Sequence, residues 1–235
     1  MAKQMISLVV LSVLLAAPLA AGEVSGTIKW EGKVPKMKAL RMDADPVCAN
    51  HHQEEPARSE VLVLGEGQTM ANVLVRVKSG LPDKKWDPPK EAAVMDQKGC
   101  TYVPHVLAVM VNQDIKILNS DGILHNVNVQ AKVNRGFNLG MPKGTTEAVR
   151  KFSRAEDKIV LKCNVHPWMK AYLVVLDHPF FSVTGKDGAF KIADLAPGTY
   201  EIEAWHEKLG TQTAKVTIGS DGDSQTADFT FSRNK

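Results

Sequence analysis

The chain has 235 residues and a formal net charge of +3, which allows one large domain or two small ones. Hydrophobic residues make up 44% and charged residues 23%, a composition that excludes collagen, coiled coil and wholesale disorder. The small charge excess, without a basic run of five residues, argues against a nucleic-acid partner.

The N-terminal residues 1–22 have the pattern of a secretory signal peptide. Lys3 is followed by an apolar run from Met5 to Ala17 and then by small residues, which is typical of export and cleavage. The apolar run is short for a membrane span, although an uncleaved anchor is the alternative. We therefore expect a periplasmic or secreted mature protein with no transmembrane segment, in a compartment where disulfides persist.

Short runs that alternate apolar and polar residues predict many strands along the mature chain, and only residues 145–154 carry a helix signal. Strands at this spacing, separated by Gly and Pro turns, favour an all-β protein built from β-sandwiches. The predicted strands are residues 24–30, 60–64, 71–78, 94–96, 107–111, 114–119, 125–130, 158–163, 171–176, 189–192, 199–205, 215–218 and 226–231.

Four residues form a candidate metal site. Cys163, His166 and Met169 are separated by two residues each, in a short loop between two predicted strands, and His125 lies 38 residues upstream of the cysteine. Two imidazoles, a thiolate and a weak axial thioether are the ligands of an electron-transfer copper site, so one ion cycling between Cu(I) and Cu(II) is expected. A zinc site and a merely buried cysteine are the alternatives.

At these residues the sequence resembles the cupredoxins, and the ligand loop is most similar to that of the amicyanins. Tyr102-x-Pro104, the run from Val109 to Ile115, and Asn119-Ser-Asp followed by His125-Asn-Val appear in the cupredoxin order. The resemblance covers residues 91–177 and implies a Greek-key sandwich. It also implies that Asn126 braces the cysteine sulfur, and that the protein is a one-electron carrier rather than an enzyme.

The resemblance further implies where a redox partner docks. In cupredoxins the histidine of the ligand loop lies at the surface, and here that residue is His166, next to Pro167 and Trp168. A c-type cytochrome or another periplasmic oxidoreductase is the expected partner. The alternative for Trp168 is inward packing. A copper-handling protein without redox turnover is the alternative function.

The remaining cysteines and histidines leave two questions. In an oxidising compartment Cys48 and Cys100 are predicted to form a disulfide, although either could instead bind a second metal. Five further histidines are expected to be structural, but they leave a second metal site open. These are His51, His52, His105, His178 and His206.

Residues 178–235 resemble the carboxypeptidase regulatory-like family, a transthyretin-like sandwich, through the run from Gly185 to His206. This segment is marginal for a core of its own. It is therefore expected either to be completed by residues 23–90, with the cupredoxin inserted between the two parts, or to follow them as a third unit. By analogy the sandwich could bind a surface or a carbohydrate.

Overall fold

The computed structural model describes residues 21–145, 147–219 and 222–233, so nearly all of the predicted signal peptide lies outside the described residues. The predicted all-β class is confirmed, with seventeen strands and one short α-helix among these residues. The elements are β1 (Gly22–Glu31), α1 (Pro46–His51), β2 (Leu74–Ser79), β3 (Ala93–Lys98), β4 (Thr101–Val103), β5 (Val106–Met110), β6 (Ile115–Asn119), β7 (His125–Gln130), β8 (Phe137–Met141), β9 (Glu147–Arg150), β10 (Glu156–Lys162), β11 (Lys170–Leu176), β12 (Phe181–Val183), β13 (Ala189–Leu195), β14 (Gly198–His206), β15 (Gly210–Ile218), β16 (Ser224–Thr226) and β17 (Phe229–Ser232).

The middle of the chain forms one sandwich of two sheets. One sheet has the strand order β5-β11-β10-β7-β8, and the other has the order β4-β3-β6-β9. Their facing sides share a hydrophobic core, to which Met95 and Ile117 come from the second sheet and Val127 and Leu173 from the first. We call this the first sandwich, and it carries every candidate metal ligand.

Both ends of the chain together form the second sandwich. Strand β1 pairs with β13, β16 and β17, and the other sheet has the order β12-β2-β14-β15. Val24 and Phe190 from one sheet pack with Val75 and Ile202 from the other. This pairing is the arrangement in which the first sandwich is inserted between two parts of the second. The likeness of the second sandwich to the carboxypeptidase regulatory-like family stays a prediction.

The two sandwiches pack against each other through strand β11, which is buried on both faces. Side chains alternate along a strand, so Ala171, Leu173 and Val175 face the core of the first sandwich. Tyr172 and Val174 point the other way and pack with Leu74 and Trp205 of the second sandwich. This explains why the sequence of β11 is a nearly continuous apolar run. This contact holds the first sandwich, with its candidate metal ligands, against the second sandwich.

An ion-pair network reinforces the contact between the sandwiches. Arg76 of β2 lies 2.5 Å from Asp157 of β10 and 2.7 Å from Glu203 of β14. The Arg76 guanidinium holds the pKa of Asp157 below its usual range, first through their hydrogen bonds. Planar, bidentate pairing of this kind fixes geometry as well as charge.

Three local predictions were wrong, and one short helix was missed. The predicted strand over residues 226–231 is two strands, β16 and β17, interrupted at residues 227–228. Within residues 145–154, expected to be helical, residues 147–150 form strand β9, which pairs with β6 and forms the edge of that sheet. Residues 60–64 form no strand and make only an isolated bridge from Leu64 to Met70. Helix α1 was not predicted. It begins after Asp45, whose side chain accepts hydrogen bonds from the first-turn backbone, and its first residue is a proline.

Among the described residues, no helix has both the length and the apolar character needed to span a membrane.

Candidate metal centre

The ligand loop runs from Cys163 to Met169, between strands β10 and β11. Two backbone hydrogen bonds close it, from Met169 N–H to the carbonyl of His166 at 2.9 Å and from Cys163 N–H to the carbonyl of Met169 at 3.3 Å. The paired strands on either side fix the two ends of the loop. The two-residue spacing thus forms a tight turn that holds Cys163, His166 and Met169 at one end of the first sandwich.

The structure brings three of the four predicted ligands together around one point. Nδ1 of His125 lies 2.9 Å from Nδ1 of His166, and Nδ1 of His166 lies 3.8 Å from Sγ of Cys163. All three ligand atoms lie within 4.8 Å of one another. His125, at the start of β7, is fully buried, and the other two side chains are nearly so. Met169 is also buried and packs in the same core as Cys163.

The outer nitrogens of both imidazoles point at carboxylates. Nε2 of His125 lies 2.9 Å from Asp121, and Nε2 of His166 lies 3.2 Å from Asp45. When each Nε2–H donates to its carboxylate, both Nδ1 lone pairs face the same point between the rings. A proton shared between the rings satisfies this pair of nitrogens when no metal is bound, and carboxylate-bound imidazoles are typical of metal ligands.

Cys163 and His125 are titratable groups whose pKa values shift in opposite directions. Burial alone raises the pKa of the Cys163 thiol, but the hydrogen bond from His125 and three backbone N–H groups outweigh it and lower the pKa to about 6. Burial lowers the pKa of His125, yet its bonds to Asp121 and Cys163 raise it to about 9. Without a metal the pair therefore holds a thiolate and a protonated imidazole. The thiolate is the form that binds metal, whereas His125 must release its proton to become a ligand.

Asn126 braces the ligand loop, as the resemblance implied. Its side-chain oxygen accepts a hydrogen bond from the backbone N–H of Asn164 at 2.7 Å and lies 3.3 Å from Sγ of Cys163. Its amide nitrogen donates to Asn138 on the neighbouring strand. Asn126 thus ties the cysteine end of the loop to strands β7 and β8 and limits its movement.

This donor set fits copper. Two imidazoles and one thiolate converge in a buried site, and a soft thioether lies at the end of the same loop. Soft thiolate and thioether ligands suit Cu(I), and imidazole suits both oxidation states. The residues that would hold the ion are His125, Cys163 and His166, with Met169 as the axial candidate.

The predicted disulfide between Cys48 and Cys100 is present, and it fastens a long segment over the metal centre. We call residues 37–58 the strap; its ends meet where Leu40 N–H donates to the carbonyl of Ala57. Sγ of Cys48 lies within 4.8 Å of ligating atoms of Asp45 and His166, and Sγ of Cys100 is equally close to Asp121 and His125. The disulfide therefore lies beside the outer nitrogens of both imidazoles.

The strap corrects one expectation drawn from the cupredoxin resemblance. His166 was expected at the protein surface, but only 2% of it is exposed, because Asp45 covers its Nε2. Val165 and Pro167, which flank it, remain exposed. The metal centre is thus closed on the side where the resemblance placed a docking partner.

Trp168 packs inward over part of its surface. Its indole Nε1 donates to the carbonyl of Cys100 at 3.1 Å, and its ring centroid lies 5.1 Å from that of His166. The side chain is half-buried against the core of the first sandwich. Trp168 therefore connects the ligand loop to the disulfide, whereas Pro167 alone of the pair is fully exposed. Docking of a partner at Trp168 and Pro167 stays a prediction.

The other histidines each have a different surrounding, and within the described ranges none of them joins a cluster of metal ligands. His105 bonds Glu207 at 2.7 Å at the contact between the sandwiches. His52 contacts the carbonyl of Gly99, and His51 lies 3.8 Å from Asp121. Ring nitrogens of His178 and His206 accept backbone N–H groups.

Sequence reasoning missed the two carboxylates. Asp121 lies four residues before His125 in a turn, and this spacing could have indicated it. Asp45 lies three residues before Cys48. A disulfide from Cys48 to Cys100, near the metal ligands, would therefore also bring Asp45 close to those ligands. Neither clue is strong without the structure, because exposed loops commonly contain aspartate.

Comparison with known proteins gives similarity to solved structures alone. No protein-family model matches the chain, and no curated protein sequence matches it. A copper-containing nitrite reductase from Thermus scotoductus SA-01 is 17% identical to this chain with a TM-score of 0.35. The matched region covers 43% of this chain and 26% of the reductase. A Cu(I) amicyanin variant is 23% identical with a TM-score of 0.33, covering 43% of this chain and 98% of the amicyanin. A purple cupredoxin from Nitrosopumilus maritimus is 19% identical with a TM-score of 0.31, covering 36% of this chain and 99% of the cupredoxin. These TM-scores are all below 0.5, so the assignment of a metal site rests on the side-chain geometry described above and not on the similarity.

Proposed function

We propose that this protein is a periplasmic or secreted copper protein that carries single electrons through a type 1 (blue) copper centre. The observation that carries the proposal is the convergence of His125, His166 and Cys163, whose ligand atoms lie within 4.8 Å of one another in a buried site. The bound ion would supply one-electron exchange between Cu(I) and Cu(II). The protein supplies a rigid ligand set that needs little rearrangement when the charge changes.

The closed site supports electron transfer rather than catalysis. An enzyme that uses a metal as Lewis acid or to activate water keeps a coordination position open to substrate. Here the ligand loop, the strap and Met169 surround the centre, and His125 is fully buried. We therefore propose a carrier and not an enzyme, with a c-type cytochrome or another periplasmic oxidoreductase as partner.

Burial of His166 favours a second candidate, a copper-handling protein without redox turnover. With only 2% of His166 exposed, a partner cannot contact this ligand directly. Electron exchange would then pass through the strap or through Trp168, whereas copper retention would benefit from the closure.

One experiment separates the two candidates. The protein is exported with its own signal sequence, loaded with Cu(II), and examined by absorption spectroscopy and then by stopped-flow mixing with a reduced c-type cytochrome. A carrier gives an intense thiolate-to-Cu(II) band that is bleached rapidly by the cytochrome. A band that resists the cytochrome, together with transfer of Cu(I) to a chelator after ascorbate has supplied the electron that reduces Cu(II), favours copper handling. A colourless protein that binds one zinc ion contradicts both candidates.

A further inference from the structure

A cavity of about 600 Å³ lies at one end of the second sandwich, and none of the candidate metal ligands lines it. It forms where the loop after β1, the segment before the 3-10 turn at Glu66–Gln68, the β14–β15 turn and the end of β17 meet. An adjoining cavity, which Glu31 and Lys33 also line, shares several of its wall residues. The shared residues are Trp30, Pro35, Lys36 and Arg233.

The walls of this cavity combine apolar surface with positive charge. Trp30, Val61, Leu62 and Leu209 supply apolar surface. Four cationic side chains also line it, and no acidic residue does; these are Lys36, Lys38, Lys208 and Arg233. None of the four is in a salt bridge within the part of the chain that the structure describes. A concave site lined by charge of one sign attracts and concentrates ligands of the opposite charge.

Two buried side chains in the wall, Trp30 and His206, determine its hydrogen-bonding capacity and its charge. Trp30 is 6% exposed, and its indole N–H has no hydrogen-bond partner among the described residues. A buried donor without an acceptor destabilises the folded state, so such groups call for an explanation. His206 is 2% exposed, and burial lowers its pKa, so it adds no charge to the cavity. The wall is therefore apolar with one unsatisfied donor, and the charge lies at the exposed lysines and arginine.

We propose that this cavity binds an amphipathic monoanion, a carboxylate attached to an extended apolar body. The apolar wall accepts the body, and the lysines and Arg233 neutralise the carboxylate at the rim. Its volume lies within the range of about 300–1,000 Å³ typical of small-molecule sites. An inorganic anion would leave the apolar wall unused, and a neutral lipid would leave the cations unpaired.

The probe is 1-anilinonaphthalene-8-sulfonate, which fluoresces on entering an apolar site, displaced by dodecanoate or by dodecanol. We expect dodecanoate to displace the probe at least tenfold more effectively than dodecanol, because the two differ only in the charged group. Equal displacement by both compounds overturns the proposal, and so does the absence of saturable probe binding.

Charge-reversal variants locate the site. Lys36→Glu combined with Lys208→Glu should weaken dodecanoate binding at least tenfold, whereas the matched control Lys143→Glu combined with Lys186→Glu, both outside the cavity, should leave it unchanged. Thermal unfolding confirms that each variant is folded. Equal loss in both double variants, or in neither, overturns the assignment.

A direct readout uses the four tryptophans of the chain. In ¹⁵N–¹H spectra, with the Trp30 indole resonance assigned by Trp30→Phe, dodecanoate should shift the Trp30 signal and leave that of Trp168 in place. A shift confined to any other tryptophan refutes the site. Cys163→Ser should bind dodecanoate normally, so that failure of this proposal and failure of the copper proposal are distinguishable.

Discussion

Nε2 of His166 lies 3.2 Å from Oδ2 of Asp45, a residue 121 positions earlier in the chain. The hydrogen bond from His166 lowers the pKa of Asp45, so the carboxylate is charged at neutral pH. A negative charge behind a metal-binding imidazole strengthens the ligand and favours the more highly charged ion. Asp45 is therefore both part of the cover over the centre and an influence on its electronic properties.

Asp45→Asn is expected to raise the reduction potential, because removing a negative charge destabilises Cu(II) relative to Cu(I). Asp45 is partly exposed, so solvent screening limits the effect to about 1 kcal/mol, equal to about 40 mV for one electron. Cyclic voltammetry measures it, and Asp43→Asn, an exposed aspartate in the same strap, is the matched control. A fall in potential, or an equal rise in the control, would contradict the proposed influence of Asp45.

Cys163→Ser is expected to abolish the visible absorption band, since a hydroxyl cannot replace the soft thiolate. Absorption spectra after Cu(II) addition test this, and Val165→Ala, an exposed neighbour in the same loop, should retain the band. Persistence of the band in Cys163→Ser would show that the chromophore lies elsewhere.

Replacing both Cys48 and Cys100 by serine is expected to lower the free energy of unfolding by about 4 kcal/mol, from the chain entropy of the 52-residue separation that the disulfide closes. Urea denaturation measures the loss. Native holoprotein should expose no reactive thiol, and copper removal should expose one, that of Cys163. Three reactive thiols in the exported native protein would exclude the disulfide in solution.

Stability against acid is expected to depend on Glu207. Burial by itself raises the pKa of Glu207, but hydrogen bonds with His105 and Tyr172 outweigh it, and the folded-state pKa lies below the ordinary value of 4.5. A carboxyl with a lowered pKa stabilises the folded state fully above its unfolded-state pKa, and the contribution disappears as pH falls through the folded-state pKa. Wild type should therefore lose stability more steeply than Glu207→Gln below about pH 4.5.

Urea unfolding between pH 3 and 7 provides the measurement. Near neutral pH, Glu207→Gln should be less stable than wild type by about 2 kcal/mol, the typical worth of hydrogen bonds to a charged group. The difference should shrink in acid. Glu54→Gln, on an exposed residue of the strap, should run parallel to wild type. A constant gap between Glu207→Gln and wild type at all pH values would refute this assignment.

Trp168→Ala is expected to slow electron exchange with a cytochrome, because the indole connects the ligand loop to the disulfide through Cys100. The visible band should change little, since Trp168 supplies no ligand. Stopped-flow kinetics and spectra of the same sample are compared, with Trp86→Ala, a tryptophan that packs against His178 and Phe180, as the matched control. Loss of copper binding with a normal exchange rate in the remaining holoprotein would instead make Trp168 a structural residue.

Much of the fold is predictable from local pattern. Alternation placed β1, β7 and β14 nearly correctly, because apolar side chains at alternate positions of each strand face a hydrophobic core. The error at residues 147–150 has a different cause. Strand β9 owes its conformation to pairing with β6, a long-range contact that no local window contains. The short helix α1 depends on the Asp45 cap, which is a weak signal without an apolar repeat.

The metal centre was predictable in its ligands but not in its surroundings. The spacing of Cys163, His166 and Met169 determines a tight loop, so chemistry could be inferred from residue types alone. The approach of Asp45 depends on where the strap crosses the first sandwich, which is fixed by the pairing of Cys48 with Cys100. Export predicts that a disulfide forms, but it does not predict that the bond lies beside both imidazoles.

The backbone N–H of Val77 donates to the carbonyl of Phe180 at 3.0 Å, so the polypeptide leaves the second sandwich and returns to it at adjacent points. A domain joined by a single linker can rotate freely about it. A domain joined by two neighbouring linkers can only rock about the line between them. The contact along β11 and the Arg76 ion pairs oppose even that motion. The distance between the candidate metal ligands and a molecule bound in the cavity of the second sandwich is therefore nearly constant.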